Sequence, residues 1–115
     1  MEFLIEQDSN NPVRFYAAPI DEIEVGGEFM RNLLGGLKAG MPPSEATKAT
    51  RRVTAEKVAG AFKQTQAYAW LSKCPERAVT FGGQIEQGPA KIPRSRIWIT
   101  FADRGMAAKF KMHFV

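Results

Sequence analysis

The chain has 115 residues, 44% of them hydrophobic and 24% charged, and its formal net charge is +4. This composition is typical of a folded globular domain and excludes an intrinsically disordered chain. One cysteine excludes an internal disulfide, and one histidine excludes a histidine-rich metal site. We expect a single domain over residues 1–115. Because the chain has no apolar run of about 20 residues and no basic stretch at its start, we expect a cytoplasmic protein without a membrane segment.

The charge is distributed unevenly along the chain. Residues 1–28 contain seven acidic residues and one basic residue, whereas residues 29–115 contain 15 basic and five acidic residues. Such asymmetry is typical of proteins that bind a nucleic acid or a charged protein. The alternative is that the acidic segment folds back onto the basic remainder and cancels much of its field.

Residues 1–18 predict a β-hairpin, because apolar and polar residues alternate on both sides of an Asn- and Asp-rich turn. Residues 27–73 are predicted to form the helical part of the chain, with a first helix over 27–38. One helix over 44–73 would be about 45 Å long, whereas a compact domain of this size is roughly 35 Å across. We therefore predict a break near Thr54 and a second helix over 55–73, with one unbroken helix as the alternative.

Residues 77–115 predict a β region of three strands, at 77–81, 96–101 and 106–115. The last two form a hairpin across the turn at 102–105, and the Gly- and Pro-containing residues 86–95 form an exposed loop. The predicted fold class is therefore α+β. An antiparallel sheet, made of the N-terminal hairpin and the three-stranded C-terminal segment, has two or three helices packed on one face.

The C-terminal hairpin carries the main candidate binding face. One phase of its alternation predicts a core of Ile97, Ile99, Phe101, Phe110, Met112 and Phe114. The opposite phase contains Arg96, Trp98, Thr100, Lys109, Lys111 and His113. Cations and an aromatic ring together are typical of single-stranded nucleic-acid platforms, although the paired aromatics of an RNA-binding sheet are missing from this hairpin. Trp and Arg are also typical of protein interfaces, and a merely solvated outer face is the third interpretation.

Two further charged groups are candidate sites. Arg51 and Arg52 lie in the basic helical region and extend the possible partner-binding or nucleic-acid-binding set. The densest acidic cluster is a candidate docking patch for a basic partner and consists of Asp21, Glu22, Glu24 and Glu28. The alternative is that these acids precede a helix, where the dipole favours negative charge.

No arrangement of residues predicts catalysis. Cys74 and His113 lie on different predicted elements, whereas a catalytic Cys-His pair needs hydrogen-bond contact. The glycines at 35–40 lack the Gly-Lys-Ser/Thr ending of a phosphate-binding loop. We therefore expect no enzyme activity, no cofactor and no metal site.

The expected function is that of a small interaction protein which docks a charge-polarised surface onto a larger protein or protein–nucleic-acid complex and acts by occlusion. Small chains without motifs are often phage or mobile-element accessory proteins that inhibit host defence or nucleic-acid machinery. The alternative is a direct nucleic-acid-binding protein that uses the basic, Trp-containing face of the C-terminal hairpin. The oligomeric state, monomer or homodimer, stays open.

Overall fold

The computed structural model describes residues 1–87 and 93–115. Its elements, in chain order, are β1 (Phe3–Gln7), β2 (Arg14–Pro19), α1 (Glu22–Lys38), α2 (Pro43–Phe62), α3 (Gln66–Ser72), β3 (Val79–Gln87), β4 (Pro93–Phe101) and α4 (Arg104–Phe114). The strands form one antiparallel sheet in the order β1-β2-β4-β3. The α+β class is therefore confirmed, whereas the described residues contain four helices instead of the predicted two or three, and two C-terminal strands instead of three.

The N-terminal hairpin is confirmed as the pair β1 and β2. The two strands are antiparallel, with Ile5 opposite Ala17, and the backbone N–H of Asp8 donates to the carbonyl of Arg14 at 2.8 Å to close the turn. The Asp8 carboxylate accepts from the backbone N–H of Asn10 at 3.0 Å, which is the turn-forming bond that this side chain favours.

Helix α1 begins five residues before the predicted position 27. Asp21 is its N-cap, and the side chain of Asp21 accepts a hydrogen bond from the backbone N–H of Glu24 at 3.0 Å. The cap satisfies one of the free amides of the first turn, so the helix continues through Gly26 and Gly27 despite their low helix propensity. The turn after α1 uses Gly40 at a φ of +91°, a conformation that favours glycine.

The break predicted near Thr54 is wrong. Helix α2 passes through Thr54, whose side chain is buried, and the chain leaves helical geometry only at residues 63–65. Thr65 caps α3, and its hydroxyl accepts from the backbone N–H of Tyr68 at 3.2 Å. A 20-residue α2 is about 30 Å long, which is shorter than the roughly 35 Å expected for a compact domain, so its length requires no break at Thr54.

The C-terminal region differs most from expectation. The segment predicted as a strand over 106–115 is helix α4, which begins after the N-cap Asp103; the Asp103 carboxylate accepts from the backbone N–H of Gly105 at 2.9 Å. Met112 was expected in the core but is 85% exposed. Strand β3 continues to Gln87 and β4 starts at Pro93, so the predicted loop at 86–95 is wrong at both ends; its residues 88–92 lie outside the described part of the chain.

The core lies between the helices and one face of the sheet. Strands β2 and β4 contribute Phe15, Ile97, Ile99 and Phe101, while the four helices contribute Val25, Val58, Phe62, Leu71 and Phe110. The ring of Phe110 packs against those of Phe15 and Phe101, with centroids 5.2 and 5.3 Å apart. All the helices of the described residues therefore pack on one side of the sheet and leave its other side uncovered.

Candidate functional site

The uncovered side of the sheet, here called the open sheet face, is the candidate site. Its side chains come from all four strands and include Glu6, Arg14, Tyr16, Glu86, Arg94, Arg96 and Trp98. They share this face because strand side chains alternate, and their neighbours Phe15, Ile97 and Ile99 point into the core. Tyr16 and Trp98 lie directly opposite each other on the two central strands.

Tyr16 and Trp98 form an aromatic pair that is flanked by arginines. Their ring centroids are 5.4 Å apart in an edge-to-face arrangement. The Arg14 guanidinium lies 3.8 Å from the centroid of Trp98, and that of Arg96 lies 4.2 Å from the centroid of Tyr16. Both distances are within the range of a cation–π interaction, so the arginines and rings stabilise each other's positions.

Two carboxylates order the same cluster. The Tyr16 hydroxyl donates to Glu6, and the Trp98 indole Nε1–H donates to Glu86 at 2.8 Å. Glu86 also lies 3.8 Å from Arg94 Nε and 3.6 Å from Arg96 Nε. Each polar end of the aromatic pair is therefore fixed by a carboxylate, and the cluster is held in place before any partner arrives.

The open sheet face is amphipathic and nearly balanced in charge. Its charged side chains are three arginines and the glutamates Glu6 and Glu86; Glu86 lies beside two of the arginines, and Asp8 lies 4.0 Å from Arg14 at one border. The buried Nε atoms of Arg94 and Arg96 have no hydrogen-bond partner among the described residues. Both Nε atoms lie 3.6–3.8 Å from Glu86, so this carboxylate compensates their charge without forming a hydrogen bond to them.

Gly82 leaves open space beside the aromatic pair. It lies directly opposite Trp98 in the pairing of β3 with β4. Among the described residues, a Cβ built at Gly82 meets no atom within 4 Å, so none of their side chains fills the position. The edge of the sheet beside Trp98 therefore has room for a group from a binding partner.

The structure separates the residues that the sequence grouped on one hairpin face. Arg96 and Trp98 lie on the open sheet face, whereas Lys109, Lys111 and His113 are exposed on α4, which packs on the opposite side of the sheet. Arg51 and Arg52 are exposed on α2, also in the helical layer. The predicted face with Arg96, Trp98 and the α4 cations together does not exist, because α4 is a helix and not a strand.

The acidic cluster belongs to the start of α1. Asp21 is the N-cap, Glu22 and Glu24 lie in the first turn, and Glu28 pairs with Lys57 of α2 at 2.5 Å. The hydrogen bond from Lys57 lowers the pKa of Glu28. The first three carboxylates therefore interact favourably with the dipole at the start of α1, and Glu28 links α1 to α2.

Sequence reasoning missed the second aromatic residue of the site. Tyr16 and Arg14 alternate with Phe15 and Ala17, so their outward direction was readable from the sequence. Their position beside Trp98 was not readable, because it depends on β2 pairing with β4 across about 80 residues of chain. Glu86 and Arg94 were missed because they fell in the predicted loop.

We expect the Tyr16 phenol to titrate above the ordinary tyrosine value. The hydrogen bond to Glu6 raises the pKa of Tyr16, and desolvation and the negative charge of Glu6 act in the same direction. An ultraviolet pH titration of a Tyr68→Phe variant isolates this group. Adding Glu6→Gln should lower the Tyr16 midpoint toward about 10, and an unchanged midpoint would contradict the assigned contact.

Cys74 has the properties of a structural thiol. It is half-buried, its Sγ lies 3.7 Å from the carbonyl of Trp70, and desolvation raises its pKa. A raised pKa lowers the thiolate fraction, and the thiolate is the reactive form. We therefore expect iodoacetamide to alkylate Cys74 more slowly in the folded protein than in urea at the same neutral pH. Equal rates would contradict this placement.

Over residues 1–87 and 93–115, no three His, Cys, Asp or Glu side chains are grouped so that they would hold a metal ion. Within the same residues, no helix combines the length and apolar character needed to cross a membrane. No family model matches the sequence, and comparisons with curated proteins and with solved structures find no match.

Proposed function

We propose that this chain is a small, non-enzymatic interaction protein that docks its open sheet face onto a larger protein and acts by occluding a surface of that partner. The observation that carries the proposal is the ordered Tyr16–Trp98 pair with its arginines, on a sheet face that no described helix covers. The small size of the chain and its lack of catalytic motifs favour the class of phage or mobile-element accessory proteins that inhibit host defence or nucleic-acid machinery.

The composition of the open sheet face supports a protein partner. Trp, Tyr and Arg dominate the energetics of protein interfaces, and they act best in the centre of a contact area. Here they occupy the two central strands, and their contacts with Glu6 and Glu86 hold the rings before binding. Binding to an ordered face avoids much of the entropy cost of fixing mobile side chains.

The charge of the open sheet face also favours a protein over a nucleic acid. Glu86 lies among Arg94, Arg96 and Trp98, so a phosphate that approached these arginines would meet a carboxylate. Proteins that bind nucleic acids without sequence preference use continuous basic grooves. A mixed arrangement of three arginines and two glutamates instead complements a protein surface with both signs of charge.

Comparative capture from a cell lysate tests the proposal. Tagged wild type is compared, after nuclease treatment, with a Tyr16→Ala/Trp98→Ala variant and with an Arg51→Glu/Arg52→Glu control in the helical layer. We expect one protein to be retained by wild type and control and lost by the aromatic variant. Retention by the aromatic variant, with loss by the control, would move the interface to α2 and overturn the proposal.

A second candidate function is direct binding of single-stranded nucleic acid. The specific observation in its favour is the Tyr16–Trp98 pair on neighbouring central strands, because successive bases stack on such aromatic pairs. Arg14 and Arg96 lie within reach of a backbone that follows the rings.

Fluorescence anisotropy separates the two candidates. Labelled single- and double-stranded DNA and RNA are titrated with the protein at about 50 and about 200 mM salt. Binding that weakens steeply with salt and is lost in Trp98→Ala would support the nucleic-acid function. No binding at the lower salt concentration would exclude it and leave the protein partner.

A further inference from the structure

Helix α1 carries an exposed apolar stripe that the proposed function does not use. Ile23, Met30, Leu34 and Leu37 are all exposed, with Ile23 85% exposed. On a helix of 3.6 residues per turn these four positions lie within about 60° of one another. They form one continuous line along α1, here called the α1 stripe.

The α1 stripe points away from the protein's own core. The buried side of α1 consists of Val25 and Phe29, which lie on the opposite half of the helix. Gly27 borders the stripe, and the Arg31 guanidinium lies over it, 3.6 Å from the position that a Cβ would take. An exposed apolar line on one helix is typical of a helix that packs against another helix.

Charges beside the α1 stripe change sign along the helix. Glu24 lies near the N-terminus and Lys38 at the C-terminus, and both are exposed on the same flank of the stripe. The helix is therefore complementary to a reversed copy of itself. A second copy with α1 antiparallel places the Lys38 of one chain beside the Glu24 of the other.

We propose that two copies of this chain form a symmetric dimer through antiparallel packing of their α1 stripes. The two-fold axis lies near Met30, so that Ile23 faces Leu37 of the second copy and the two Met30 side chains face each other. An isologous contact of this kind uses the same patch on both chains, as closed two-fold dimers do.

The flanking charges select the antiparallel arrangement over the parallel one. A two-fold axis perpendicular to the helices keeps Glu24 and Lys38 on the same side of the contact, where they pair twice. A two-fold axis along the helices places them on opposite sides, where they do not meet. The two Arg31 side chains lie near the antiparallel axis, and each has the Glu28 of its own chain three residues away on α1 to offset part of their repulsion.

The dimer leaves the open sheet face free, because α1 packs on the other side of the sheet through Val25 and Phe29. A contact limited to one 17-residue helix is smaller than a standard interface of about 1,600 Å². We therefore expect a dissociation constant in the micromolar range. The molecule would then present two copies of the open sheet face to its partners.

Sedimentation equilibrium over a range from low to high micromolar concentrations tests the dimer. Leu34→Glu should abolish dimerisation at every concentration, whereas the control Val53→Glu, at an exposed apolar position of α2, should leave it unchanged. Circular dichroism confirms that both variants fold. A wild type that stays monomeric throughout, or a Leu34→Glu variant that still dimerises, would overturn the proposal.

Charge reversal tests the antiparallel arrangement separately. Glu24→Lys and Lys38→Glu should each raise the dissociation constant about fivefold or more, because the two-fold axis applies every change twice. The combined Glu24→Lys/Lys38→Glu variant should restore wild-type affinity, since the pair is re-formed with opposite polarity. Two single effects that add in the double variant would contradict this register, and neither outcome depends on binding at the open sheet face.

Discussion

Phe110→Ala should lower the free energy of unfolding by about 3–5 kcal/mol, whereas Met112→Ala should change it by less than about 0.5 kcal/mol. Phe110 is fully buried and its ring contacts Phe15, Phe101 and Trp70, so truncation leaves a cavity at the centre of the core. Met112 is 85% exposed on the solvent side of α4. Urea denaturation followed by circular dichroism measures both values.

This pair of variants also distinguishes a helix from a strand at the C-terminus. In a strand, the side chains of residues 110 and 112 point to the same face, so truncation of either one would destabilise the fold to a similar extent. In a helix they are about 200° apart, so one is buried when the other is exposed. Because Phe110→Ala removes a large part of a stability of about 5–15 kcal/mol, Phe110→Leu serves as a milder second variant. Comparable losses for Phe110→Leu and Met112→Ala would contradict the placement of α4.

Trp98→Ala should weaken binding of the captured partner by about 30-fold or more, which corresponds to about 2 kcal/mol. Trp98 is the central aromatic of the open sheet face, and its loss also frees Arg14 and Glu86 from the positions that it fixes. The control is Lys111→Ala on α4, which should leave affinity unchanged. Isothermal titration calorimetry measures both, and equal affinities for Trp98→Ala and wild type would contradict a central role.

A steric variant at Gly82 also tests docking through the open sheet face, and it removes no contact of Trp98 or Tyr16. Gly82 lies opposite Trp98, and a Cβ at Gly82 meets no atom of residues 1–87 and 93–115 within 4 Å. Gly82→Gln should therefore fold normally and fill the space beside the ring. We expect it to weaken binding although Trp98, Tyr16 and the arginines are all present. Unchanged affinity would mean that the partner does not approach this part of the sheet.

The sequence predicted the class of fold and the N-terminal hairpin well, because the information there is local. Alternation around the turn at 8–11 determines β1 and β2, and the Pro-Pro pair at 42–43 separates α1 from α2. The end of the chain was ambiguous, since apolar residues at 106, 110, 112 and 114 fit a strand, whereas Ala107, Phe110 and Phe114 fit a helix. Asp103 caps the first turn at residues 104–106, and this cap favours the helix.

The candidate site was only partly predictable. Trp98 and Arg96 were identified from strand alternation, which is a property of β4 alone. Tyr16 was seen as an outward residue of a different hairpin, and only the pairing of β2 with β4 brings it to Trp98. Such pairing depends on tertiary packing, and no pattern within either segment encodes it.

The wrong prediction of a helix break near Thr54 also has a physical cause. One helix over 44–73 would be about 45 Å long and would exceed a body roughly 35 Å across, but this excess requires a break only somewhere in the segment. Helix α2 has 20 residues and is about 30 Å long, so it fits without a break at Thr54. Residues 44–73 do not form one helix, as predicted, and the chain breaks at residues 63–65, where Thr65 caps α3.

Hydroxyl-radical footprinting of the protein alone and with its captured partner tests the central claim most directly. It reports side-chain accessibility at every reactive residue of the same sample. We expect oxidation of Trp98 and Tyr16 to fall in the complex, while oxidation of the exposed Met112 on α4 stays the same. Unchanged oxidation of Trp98 and Tyr16 together with protection of Met112 would place the interface on the helical layer and contradict docking through the open sheet face.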